Sequence, residues 1–132
     1  MKGSILLVDD DYDIRVILVM VLEREGYTVF PFSDMSESIQ SIKEGLKYDL
    51  ALVDLTMPDR RAPTEDVDDL IRESRSRHPG VPIVTFSAWP DTFPEGNKPG
   101  YKRKGVTAHY HKGCADNELE NLLETIQLHI KR

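Results

Sequence analysis

Three aspartates, a serine and a lysine stand at the ends of short strand-like runs, and their types point to chemistry on a phosphoryl group. Ile5-Leu6-Leu7-Val8 ends in Asp9 and Asp10, and Leu50-Ala51-Leu52-Val53 ends in Asp54. Val81 to Phe86 ends in Ser87, and Val106 to His111 ends in Lys112. If the first two of these runs are neighbours in a sheet, three carboxylates converge on one rim. Like charges about 4 Å apart repel by roughly 4 kcal/mol at an effective dielectric near 20, so such a cluster calls for a cation. Oxygen ligands without Cys or His suit Mg2+, Mn2+ or Ca2+, and Mg2+ binds through few carboxylates together with waters and phosphate oxygens. The set reads as a site built to receive a phosphoryl group.

The elements that must hold these residues follow from the pattern between them. A run apolar at every position, rather than at alternate ones, predicts a strand covered on both faces at Ile5–Val8, and Leu50–Val53 and Val81–Phe86 read as two more strands. Tyr27–Phe30 and Val106–His111 complete five strands. Ile14, Ile17, Leu18, Val21 and Leu22 recur at helical spacing. Asp11 or Asp13 caps that helix and Gly26 ends it. Ser36–Leu46 carries Ile39, Ile42 and Leu46 at the same period. Thr64–Arg77 carries Val67, Leu70 and Ile71, with Thr64 as its cap and His78-Pro79-Gly80 as its end. Asp116 or Asn117 caps a last helix bearing Leu119, Leu122, Leu123, Ile126 and Ile130. The stretch from Trp89 to Gly105 holds Pro90, Pro94, Pro99, Gly96 and Gly100, which predicts a loop or a short, distorted fourth helix. Alternating strands and helices argue for an α/β fold, an open parallel sheet doubly wound with helices on both faces. Ligands of such sheets sit outside the carboxyl ends of the strands, where the five polar residues lie.

Composition narrows the function classes. The chain has 132 residues, 17 Lys and Arg against 23 Asp and Glu, and a net charge of −6. That length fits a single domain. An acidic chain lacks the excess cations that neutralise phosphates along DNA or RNA, so no direct nucleic-acid binding is expected. One cysteine, Cys114, excludes an internal disulfide and a multi-cysteine metal site, and it fits a reducing compartment. No apolar run approaches the length of a membrane span, and four apolar residues followed by three aspartates are no signal peptide. A cytoplasmic location is expected.

The order strand-Asp-Asp, strand-Asp, strand-Ser-Ala, strand-Lys resembles the receiver domain of two-component response regulators. The residues that carry the resemblance are Val8-Asp9-Asp10, Asp54 followed by Met57-Pro58, Thr85-Phe86-Ser87-Ala88, and His111-Lys112. It covers nearly the whole chain and implies a single receiver domain over 1–132. The implied fold is flavodoxin-like (CheY-like), a five-stranded sheet of order 2-1-3-4-5. The resemblance implies that Asp54 is the phosphoacceptor nucleophile. Asp9 and Asp10 hold Mg2+, for which Mn2+ can substitute, with Asp54 and the backbone carbonyl of Thr56. Lys112 pairs with a phosphate oxygen, and Ser87 hydrogen-bonds another. The implied partners are a histidine kinase or phosphotransfer protein and an output protein or domain, with no membrane partner. The switch takes a phosphoryl group on itself and is no turnover enzyme. A stand-alone receiver and one cut from a longer regulator both fit.

Four positions depart from the family pattern or bear on it. Asp59-Arg60-Arg61-Ala62-Pro63-Thr64 has no glycine, and Arg60 and Arg61 extend toward phosphate or into solvent. His109 replaces the aromatic residue usual three before the lysine, while Tyr110 points the other way. Gly113 stands where the family usually has proline. Trp89, two past Ser87, sits where a bulky group can exclude water from the phosphoryl group.

Two other readings belong to different classes. A receiver-like adaptor would keep the fold without being phosphorylated. A haloacid-dehalogenase-like phosphatase would use Asp9 and Asp11 as its Asp-x-Asp pair, although Asp13 stands where those enzymes usually have threonine or valine. A lone aspartate at a strand end is most often a helix cap or a solvated loop residue, and it is the ordered set with Lys112 that favours the phosphoacceptor.

Overall fold

The computed structural model describes residues 3–54, 63–87, 108–111 and 118–130. Five parallel strands form one sheet, β1 (Gly3–Val8), β2 (Tyr27–Phe32), β3 (Leu50–Asp54), β4 (Ile83–Ser87) and β5 (Ala108–His111). Their order is β2-β1-β3-β4-β5. The helices are α1 (Tyr12–Arg24), α2 (Met35–Lys43), α3 (Pro63–Arg77) and α4 (Glu118–His129). The short or distorted helix expected between β4 and β5 lies outside the described residues.

The inner strands β1, β3 and β4 are mostly apolar on both faces because both faces are covered. Ile5 and Leu7, Leu50 and Leu52, and Val84 and Phe86 pack with Leu18 and Leu22 of α1 and with Leu122 and Ile126 of α4. Leu6 and Val8, Ala51 and Val53, and Ile83 pack on the opposite face with Met35 and Ile42 of α2 and Leu70 and Ile71 of α3. The pleat sends successive side chains to opposite faces, so these strands serve two cores. The doubly wound sheet expected from the sequence is the one observed.

Several boundaries differ from the sequence reading, each for a physical reason. β2 continues through Pro31, in register with Leu7. A proline lacks a ladder donor, but β2 is an edge strand whose outer side needs none. α3 opens at Pro63, which places Thr64 within the helix rather than at its cap. Proline suits the first helical position because its missing N–H has no intrahelical acceptor there. Ile17, expected on the buried face of α1, is 52% exposed, beside exposed Tyr12, Val16 and Met20. α1 carries apolar residues on more than one face, so spacing alone cannot tell which stripe meets the sheet. α2 ends at Lys43, and Gly45 at φ +106° turns the chain so that Leu46 still reaches the core. No helix among the described residues is long and apolar enough to cross a membrane.

Candidate functional site

The site begins with register. β1 and β3 pair in parallel with Val8 opposite Val53, so Asp9, just past β1, lies beside Asp54, the last residue of β3. Asp9 and Asp54 are buried and Asp10 is half-buried. Each of the three offers a carboxylate oxygen, and these oxygens all lie within 4.8 Å of one another. The convergence inferred from the sequence is therefore present.

Asp9 is held at three points. Its backbone N–H donates to the Phe32 carbonyl at 3.0 Å. Its Oδ1 accepts from the Asp11 N–H at 3.0 Å. Its carbonyl accepts from Arg15 Nη1 at 2.8 Å. The positive end of the α1 dipole faces the same cluster, because α1 starts at Tyr12, two residues after Asp10.

Asp11 takes the role of cap. Its Oδ1 accepts from the Ile14 N–H at 3.1 Å, and its side chain is exposed. Asp13 lies in the first turn of α1. The carboxylates that meet are those of Asp9, Asp10 and Asp54, while that of Asp11 caps α1.

Asp54 is in register with Phe86, and Ser87, in register with His111, ends β4 on the same side of the sheet. The Ser87 side chain lies outside the described residues, as do Thr56, Met57-Pro58, Arg60, Arg61, Trp89, Lys112, Gly113 and Cys114. His109 is in register with Thr85 on β5, and its side chain also lies outside what is described.

Three carboxylates this close suit a hard divalent cation. They supply oxygen alone, at a strand edge with one half-buried member that leaves room for water and phosphate. The sequence reading missed Arg15. An arginine in the first turn of a helix opposes the helix dipole, and that mismatch was the available signal.

A family model described as the response regulator receiver domain matches residues 5–124. The chain is 36% identical over 92 residues to the DNA-binding response regulator MtrA of Mycolicibacterium smegmatis, covering 70% of this chain and 37% of that protein. It is 34% identical over 86 residues to the DNA-binding transcriptional regulator NtrC of Bradyrhizobium, covering 65% of this chain and 17% of that one. It therefore spans well under half the length of these relatives. Among solved structures, a CheY-like receiver domain protein from Methanospirillum hungatei superposes with a TM-score of 0.72 at 25% identity, covering 96% of this chain and 92% of that one. The fold, the register that joins Asp9 and Asp54, and the match across most of the sequence agree: the chain belongs to the response regulator receiver domain family.

Proposed function

We propose that this chain works as a single receiver module over 1–132, with Asp54 as its phosphoacceptor. The observation that carries the reading is the convergence of the Asp9, Asp10 and Asp54 carboxylates within 4.8 Å at the carboxyl ends of β1 and β3. Asp9 and Asp10, with Asp54 and the Thr56 carbonyl, hold Mg2+, and Mn2+ satisfies the same donors. When bound, the ion offsets the charge of the carboxylates and of the incoming phosphoryl oxygens.

A carboxylate oxygen of Asp54 forms the new O–P bond as the donor's bond to phosphorus breaks. Lys112 neutralises charge on an equatorial oxygen, and Ser87 donates to another. The protein supplies position and charge rather than a strong base. The donor is a histidine kinase or phosphotransfer protein, and the changed charge at Asp54 is read by an output protein or domain. The chain turns over no separate substrate, and it acts in the cytoplasm, the compartment that its lone cysteine suits.

The test is intact mass after incubation with Mg2+ and acetyl phosphate. The expected result is a gain of one phosphoryl group, abolished in Asp54→Asn and absent with EDTA. An unchanged mass for the wild-type chain under Mg2+ supports the adaptor reading instead.

A further inference from the structure

We propose that the outward face of α1 is a homodimer seam, on which a second copy of this chain packs its own α1 in the antiparallel sense. The inference rests on the fold alone and does not depend on the phosphoacceptor reading. α1 turns Leu18 and Leu22 into the core and leaves Tyr12, Val16, Ile17 and Met20 exposed. Ile17 is 52% exposed and Met20 57%. A helix whose task is only to cover a sheet carries polar residues on its outer side. A contiguous apolar stretch there marks a contact surface.

The order of residues along that face selects the occupant. Asp13, Ile17, Met20 and Arg24 are all exposed and follow one another at spacings of four, three and four. That is the a/d spacing of a coiled-coil seam, and it sets the four residues along one line about 16 Å long. The line has an acid at one end, a base at the other and two apolar residues between. Such a line is complementary to its own reverse. In an antiparallel pair, Asp13 meets Arg24 of the second copy, Ile17 meets Met20 of the second copy, and the twofold axis repeats both contacts. A parallel pair would set Asp13 on Asp13 and Arg24 on Arg24.

The net charge of −6 repels copies at long range. Salt screens that field beyond about 8 Å at physiological strength. At contact range α1 itself is neutral, with Asp13 and Glu23 against Arg15 and Arg24. Val16, exposed beside Ile17, widens the apolar strip on one side. A second copy supplies the matching row by symmetry, whereas any other protein would have to supply it by its own sequence. One helix pair buries less than a standard interface, so the dimer is weak, with a Kd on the order of 10⁻⁴ M.

The experiment is sedimentation velocity on the full chain at physiological ionic strength, over a concentration series reaching about ten times that Kd. The samples are wild type, Ile17→Glu, Asp13→Lys, Arg24→Glu and an equimolar mixture of the last two, with urea midpoints as the control for folding. Wild type is expected to pass from monomer to dimer across the series. Ile17→Glu sets carboxylates in the apolar centre and stays monomeric throughout. Asp13→Lys and Arg24→Glu each set like charges at both ends and raise the Kd about tenfold. Their mixture regains the wild-type Kd, because the mixed pair sets the new cation against the new anion at one end and Asp13 against Arg24 at the other. A wild-type chain that stays monomeric overturns the proposal and leaves the face to a protein of another kind. A dimer that survives Ile17→Glu, or a mixture no tighter than its components, overturns it as well.

Discussion

Val8 and Val53 face each other across two parallel strands, and the aspartates that follow them, Asp9 and Asp54, share one carboxylate cluster with Asp10. The sheet thus forces together groups that repel, and the fold is less stable without a cation than the same fold with one carboxylate fewer. Asp10 is the member to test, because it is half-buried while Asp9 is strapped by three hydrogen bonds. Asp10→Asn is expected to raise the thermal midpoint in EDTA by a few degrees. It should also shrink the stabilisation that saturating Mg2+ gives, which for wild type is about 2.7 kcal/mol at a hundred times Kd. A melting series with and without Mg2+ reads both. An Asp10→Asn midpoint below wild type in EDTA contradicts it.

Asp11 separates the phosphoacceptor from the phosphatase chemistry. Its carboxylate caps α1 through the Ile14 N–H at 3.1 Å. Asp11→Ala is expected to cost about 1 kcal/mol in urea unfolding, the usual worth of such a cap, and to leave phosphoryl uptake from acetyl phosphate intact. Loss of uptake at unchanged stability would place Asp11 in the chemistry.

The acidic cluster was legible because each aspartate follows a run with no polar position, and such runs form the inner strands of a doubly wound sheet. The two-faced core was legible for the same reason. The orientation of α1 was not, because Tyr12, Val16, Ile17 and Met20 add an outward apolar stripe that the period cannot distinguish from the inward one. β2 was read short because Pro31 looks like a stop unless the strand is known to be an edge. Tyr48 on Ser74 joins groups 26 residues apart by tertiary placement, and no local spacing encodes that contact.

Leu52 lies in the middle of the central strand and is fully buried between β1, β4 and the α1–α4 layer. Leu52→Ala removes apolar contacts on a strand with neighbours on both sides, so collapse cannot fill the space. A loss of about 2–5 kcal/mol in urea unfolding is expected. A loss under about 1 kcal/mol would mean that the layers close over the gap.

Tyr48 gives the fold a pH dependence. Its hydroxyl donates to Ser74 Oγ at 2.7 Å in the buried space between β3 and α3, and its ring centre lies 4.9 Å from that of His78 in an edge-to-face pair. Burial, above all, pushes the phenol up from its ordinary value of 10.0, against the opposing pull of Ser74 and Arg75. A raised folded-state value means that the contribution is fully present below the unfolded value and is lost as pH climbs from there through the folded value. Wild type should therefore lose stability as pH rises past about 10, and Tyr48→Phe should lose less over the same interval. At neutral pH the variant is expected to be weaker by about 1–2 kcal/mol, because Ser74 keeps a buried hydroxyl without its donor. Urea midpoints measured across that pH range check both halves. Parallel curves for the two proteins would contradict the assignment.

The position of the phosphoryl group tests the central claim most directly. The chain is incubated with Mg2+ and acetyl phosphate, treated with borohydride, digested and sequenced by mass spectrometry, since reduction converts an aspartyl phosphate to homoserine. The account predicts homoserine at position 54 and at no other aspartate. Homoserine at Asp9, Asp10 or Asp11, or none in a chain that binds Mg2+, would contradict it.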